Sequence, residues 1–259
     1  MPRLAANLSM LFTEAPLLDR FGLAAQAGFM GVEMQFPYGE PAAAIAARLH
    51  DTGLEMVMFN LPAGNFAKGE RGIACLPGRE QEFREGVEQA LDYARTLGVR
   101  QMNCLAGIAP PNGHRAVRET LVANLGFAAK RLADEGMVLL VEALNTHELP
   151  GFYISRTRQA LDVIADVGLT NIKLQYDFYH MHLMEGDLAG TLTRQLPRIG
   201  HIQIANPPNR HEPGEGELNI DFLLEHLDQL GYAGWVGCEY RPSKGTAASL
   251  GWAKRWLAR

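Results

Sequence analysis

Eight times along the chain a short apolar run gives way to a longer segment of helical period. The runs are Leu4 to Leu8, Gly31 to Gln35, Glu55 to Asn60, Gln101 to Leu105, Val138 to Glu142, Ile172 to Tyr176, His201 to Ala205 and Val236 to Glu239. After each comes a segment with apolar residues at three- and four-residue spacing: Leu17 to Ala27, Pro41 to Thr52, Arg79 to Leu97, Ala116 to Glu135, Thr157 to Val167, Glu185 to Gln195, Ile220 to Leu230 and Ala247 to Leu257. Strands alternating with helices are the pattern of βα units on a parallel sheet, and eight units predict closure into a (β/α)8 barrel. Helical segments end in glycines such as Gly53, Gly98 and Gly168, where a left-handed residue stops a helix. No linker or composition break divides the series, so residues 1–259 are read as a single domain.

Composition narrows the partners. With 47% hydrophobic and 20% charged residues the chain has material for a full-sized core. A net charge of −5, with no Lys/Arg run longer than two residues, offers no footprint for nucleic acid or an anionic membrane surface, so a small molecule is the expected partner. Cys75, Cys104 and Cys238 are odd in number and lack CxxC spacing, which predicts no disulfide and a reducing cytoplasm. No export leader or membrane-length apolar run is read in the sequence. Nothing in it fixes a subunit association.

The strands end in polar residues: Asn7, Glu33 or Gln35, Asn60, Asn103, Glu142, Asp177, Gln203 and Glu239. In a barrel these would form one ring at the carboxyl face, where such folds build their sites. The run Met137 to Val141 delivers Glu142 into the interior, and a buried carboxylate costs several kcal/mol unless something meets it. Singly, each such residue is accounted for by a hydrogen bond at a strand end. Four at one level in neighbouring strands, Glu142, Asp177, Gln203 and Glu239, point to a shared partner. Three carboxylates and an amide oxygen suit a hard cation, Mg2+ or Mn2+. His147, His201 and His211 lack the i, i+4 pairing of a helical zinc site.

Several blocks, NLSMLF, NLPAGNFAKGERGIACLPGRE, YDFYHMHLMEGDL, GHIQIANPPNRHEPGEGELN and GWVGCEY, closely resemble the hydroxypyruvate isomerase family, including its 2-oxo-tetronate isomerase branch, within the xylose isomerase-like barrels. The resemblance runs from the first strand to the last. It implies a metal site at Glu142, Asp177, Gln203 and Glu239, with Glu142 and Glu239 as the proton-transfer pair. By likeness to the wider ketose epimerase pattern, it also implies substrate contacts at His180, three residues after Asp177, and Glu148, six after Glu142. One departure is that the chain reads Ala205-Asn206-Pro207-Pro208 where the family pattern reads ADNP, and so lacks an acidic residue in that loop.

The chemistry so implied moves a carbonyl between adjacent carbons of a 2-oxo-3-hydroxy acid by proton transfer through an enediolate, a task for paired carboxylates beside a Lewis acid. Hydroxypyruvate giving tartronate semialdehyde, or 2-oxo-tetronate giving 3-oxo-tetronate, are the expected reactions. Arg71 and Arg210, on long loops over the same face, are expected to fork onto the substrate carboxylate. Three alternatives are a ketose 3-epimerase, a metal-dependent endonuclease and a non-catalytic sugar-acid binder. The endonuclease requires a histidine-rich multi-zinc site and a basic face, neither of which the sequence shows.

Overall fold

The computed structural model describes residues 1–111 and 114–257. Its strands are β1 (Arg3–Asn7), β2 (Gly31–Met34), β3 (Glu55–Asn60), β4 (Gln101–Cys104), β5 (Val138–Glu142), β6 (Ile172–Asp177), β7 (Ile199–Ile204) and β8 (Trp235–Cys238). They pair in chain order into a closed parallel barrel, shut by β1 against β8 in the register Arg3↔Trp235 to Ala6↔Cys238. The helices are α1 (Leu17–Gln26), α2 (Ala42–Thr52), α3 (Glu80–Leu97), α4 (His114–Ala133), α5 (Thr157–Val167), α6 (Phe178–Met184), α7 (Leu188–Gln195), α8 (Ile220–Gln229), α9 (Thr246–Ser249) and α10 (Lys254–Leu257). No described helix is long and apolar enough to cross a membrane.

Why the helices lie where they do is plain in α3, whose buried residues Phe83, Val87, Ala90, Leu91, Ala94 and Leu97 form one apolar stripe against the barrel. Each large side chain so buried contributes about 1.5–3 kcal/mol. The predicted units all form, with two differences. The sixth acquires an extra helix directly off its strand, because Asp177 caps it by accepting from the backbone N–H groups of Tyr179 and His180. The eighth is broken into α9, a 3-10 turn at Gly251–Ala253 and α10, with Gly251 at the break.

Inside the barrel, residues two apart on a strand share a face. His201 and Gln203 on β7 both reach across to Glu33 on β2, at 2.7 Å each, and Asn7 on β1 adds a third donor at 2.9 Å. A fully buried carboxylate is thus satisfied by three donors. Room for it comes from β8, since a Cβ at Gly237 would lie 2.2 Å from Glu33 Oε2. Gly237→Ala is therefore expected to push Glu33 off its donors and cost about 1–3 kcal/mol, the range for overpacking a core. Thermal melting is the check, and an unchanged Tm would remove Gly237 from this role.

Candidate active site

At the carboxyl face the strand tips converge beneath a cavity of about 530 Å3. Glu142 from β5, His180 from α6 and Glu239 just beyond β8 line it, and Asp177 from the end of β6 joins them, all four buried with one ligand atom of each lying within 4.8 Å of the others. Asn103 Nδ2 donates to Glu142 Oε2 at 2.8 Å and to Asn60 Oδ1 at 3.1 Å. Gln35 Nε2 donates to Glu239 Oε1 at 2.9 Å, with Asn7 Nδ2 at 3.4 Å from the same oxygen. Of Glu33 and Gln35, then, Gln35 belongs to the ring and Glu33 to the layer beneath.

Burial pushes all three carboxyls up. Glu142 rises well above the usual range through desolvation and the nearby charges of Glu239 and Asp177. Desolvation carries Asp177 to about 7 although Arg210 opposes it, and Glu239 is raised in the same way. His180 is held well below its ordinary value by burial and by Arg210, and so is neutral. In the metal-free protein this sets the sign of a pH effect. The fold holds a proton on Asp177 that the unfolded chain has released, so the stability linked to it is lost as pH rises from roughly 4 towards 7. Melting in chelator should show Tm falling from about pH 5 to about pH 8, and Asp177→Asn should flatten that fall. A wild-type Tm that rises over this range with the same slope in the variant would contradict the assignment.

Two oxygens of the cluster, Glu142 Oε1 and Asp177 Oδ2, are buried without a hydrogen-bond partner. Unpaired carboxylate oxygens aimed at one space fit a divalent cation, and the donor set is oxygen-rich, as Mg2+ or Mn2+ prefers. Gln203, on β7, is buried beside Asp177 in the strand register, and its Oε1 accepts from Gln175 Nε2 at 2.6 Å while its Nε2 is held by Glu33.

The predicted substrate-contact residues line the same cavity. Arg210, read from sequence as a loop arginine over the mouth, is only 8% exposed. Its Nη2 donates to Glu239 Oε2 and lies 3.6 Å from Asp177 Oδ2, and its Nη1 is 3.5 Å from Glu148 Oε2. Glu148 also meets Tyr179 OH at 3.2 Å and Arg241 at 3.8 Å. Arg71 sits at the rim, stacked 3.9 Å over Phe66, with its Nη1 bonded to the carbonyls of Phe66 and Glu70. Its loop is anchored by close backbone packing: a Cβ at Gly72, whose φ is +108°, would lie 2.2 Å from Leu105 O.

Three residues escaped the sequence reading. Arg241 lies two residues beyond Glu239, a parity that alone could have placed it at the mouth. Tyr179 reaches Glu148 through its hydroxyl. Asn145 is fully buried between Glu148 and His180, and the N-x-x-E spacing of a side-chain-capped turn was its signal.

The chain matches the xylose isomerase-like TIM barrel family over residues 21–256. It is 51% identical to hydroxypyruvate isomerase of Escherichia coli over 97% of this chain and 98% of that protein. It is 48% identical to 2-oxo-tetronate isomerase of Cupriavidus necator over 100% of both. Among solved structures, a crystal structure of an AP endonuclease, family 2, from Brucella melitensis superposes with a TM-score of 0.97 at 45% identity, covering 99% of each chain. A 3-keto-D-glucoside 4-epimerase from E. coli, at 23% identity and a TM-score of 0.77 over 99% of this chain and 98% of that one, shares the fold.

Proposed function

The chain belongs to the hydroxypyruvate isomerases of the xylose isomerase-like TIM barrel family, and from that premise we propose that it isomerises a short 2-oxo-3-hydroxy acid by proton transfer between Glu142 and Glu239. The observation that carries this reading is the meeting of two buried carboxylates of raised proton affinity, from β5 and from the end of β8, at the floor of one cavity. The substrates are hydroxypyruvate, giving tartronate semialdehyde, or 2-oxo-tetronate, giving 3-oxo-tetronate.

One carboxylate of the pair removes the C–H proton from the hydroxyl-bearing C3, the hydroxyl proton passes from the C3 oxygen to the C2 oxygen, and the pair returns a proton to C2 as the carbonyl moves to C3. A base works best when its proton affinity lies near the working pH, and burial raises both groups towards it. Glu142, with Oε1 unpartnered, is free to take up a proton. Glu239 is held in place by Gln35, Asn7 and Arg210. His180 and Glu148 contact substrate oxygens above them, and the aromatic rim at Phe36 and Phe66 limits water. Glu142, Asp177, Gln203 and Glu239 would hold Mg2+ or Mn2+, which when bound supplies Lewis-acid stabilisation of negative charge on the substrate oxygens.

A carboxylate on the substrate needs a cation at the mouth, and Arg71 is stacked there ready to meet it. Arg71→Ala is expected to lower kcat/KM for the acid by about 10- to 100-fold, the worth of a charge-assisted hydrogen bond, and to spare an uncharged hydroxyketone. Equal losses on both would remove the clamp. Arg210→Ala should reduce turnover of both, since its guanidinium also steadies Glu239 and Asp177. Side-by-side kcat/KM values for the two acids identify the substrate, because one hydroxymethylene is worth about 1–3 kcal/mol.

The endonuclease reading finds no support in the site. Among the described residues, the group able to hold a metal carries a single histidine, and the chain is net negative.

A further inference from the structure

His180 stands among the carboxylates as if it were a metal ligand. Its other ring nitrogen decides otherwise. Nδ1 faces the backbone N–H of Asn145 at 3.3 Å and the side-chain amide of Asn145 at 2.7 Å. A backbone nitrogen can only donate. The side-chain amide is turned the same way, because Asn145 Oδ1 accepts from the backbone N–H of Glu148 at 2.8 Å, which leaves Nδ2 towards the imidazole. Two donors therefore converge on Nδ1, which must carry a lone pair. A neutral imidazole with an unprotonated Nδ1 has its proton on Nε2, and Nε2 is the atom that faces the cluster, 3.7 Å from Asp177 Oδ2.

We propose that Asn145 is a positioning residue that locks His180 as the Nε2–H tautomer, so that His180 presents a hydrogen-bond donor to the substrate and stays out of the metal's ligand shell. A protonated Nε2 has no lone pair for a cation. What it offers is an N–H fixed in a water-poor pocket, suited to an oxygen that gains negative charge as a proton leaves the neighbouring carbon. The fourth ligand position then falls to Gln203 rather than to His180. The same asparagine fixes the turn that carries Glu148, so one buried side chain sets the geometry of two substrate-contact residues. The catalytic use of the donor rests on the isomerase reading; the tautomer does not.

Long-range 1H–15N correlation on metal-free protein carrying 15N-histidine, with the His180 signals assigned by their loss in His180→Gln, reads the tautomer directly. Protonated Nε2 with unprotonated Nδ1 is expected; an Nδ1–H tautomer or an imidazolium at neutral pH overturns the proposal, whatever the enzyme's activity. In the Mn2+-loaded protein, pulsed EPR with 14N- and 15N-histidine should show no directly coordinated histidine nitrogen, and one that vanishes in His180→Gln also overturns it. Asn145→Asp places an acceptor against Nδ1 and should switch His180 to the Nδ1–H form, lowering kcat about 100-fold with KM within about threefold. A merely structural asparagine would lower Tm and leave the tautomer unchanged, and that result counts against the lock.

Discussion

Replacing Glu142 or Glu239 by glutamine is expected to lower kcat about a thousandfold, within the range ascribed to a general acid or base, and in Glu142→Gln the metal-free protein should melt at the same temperature or higher. The two effects have one cause. Glu142 is buried and pushed up by desolvation and by the charges of Glu239 and Asp177, so glutamine there relieves the fold as it removes the proposed base, whereas Glu239 is paired with buried Arg210 and its replacement also breaks that pair. Glutamine keeps the shape and an acceptor oxygen for Asn103 at position 142 or for Gln35 at position 239. Glu142→Gln losing activity together with stability would point instead to a structural carboxylate. Full activity in either variant at saturating Mn2+ would remove that residue from the proton path.

The second large effect concerns the metal. Mg2+ or Mn2+ added to chelator-treated protein at a hundred times its dissociation constant should stabilise the fold by about 2.7 kcal/mol. For a chain of this size that is a Tm rise on the order of 5–10 °C. Asp177→Asn should abolish most of the rise, because Asp177 Oδ2 is one of the two unpartnered carboxylate oxygens turned towards the site. A full shift in Asp177→Asn would argue against a cation held on this oxygen set. The metal response should also grow with pH, since rising pH empties the carboxyls of protons that a divalent ion would otherwise displace.

Much of the architecture could be read from periodicity. Strands β3 and β5 and helix α5 fall on their predicted bounds, because a parallel barrel strand buried on both sides leaves an apolar run and a one-sided helix leaves a stripe. Helix α6 was not legible: Phe178–Met184 is apolar nearly all round, and what starts it is the carboxylate of Asp177, which also serves the site. Strand alternation puts His201 and Gln203 on one face, but nothing in the sequence shows that Glu33 waits for both across the barrel. The acidic members of the site were legible because a carboxylate at the tip of an apolar strand demands a partner. The basic and amide members were legible only in part: the sequence points to Arg71, Arg210 and Gln203 at the site, and not to Asn145 or Arg241. Arg210 is expected over the mouth, but not that the loop after β7 folds it inward onto Glu239, and Asn145 is brought to the site only when α6 places His180 against it.

Whether the protein is an isomerase of these acids is read by NMR of the metal-loaded protein with hydroxypyruvate and with 2-oxo-tetronate in D2O. Conversion of at least one acid to its isomer is expected, with deuterium at the carbon that receives the proton, and no such signal in Glu142→Gln or Glu239→Gln. Folded, metal-loaded wild-type protein that neither converts nor exchanges either acid would contradict the isomerase reading.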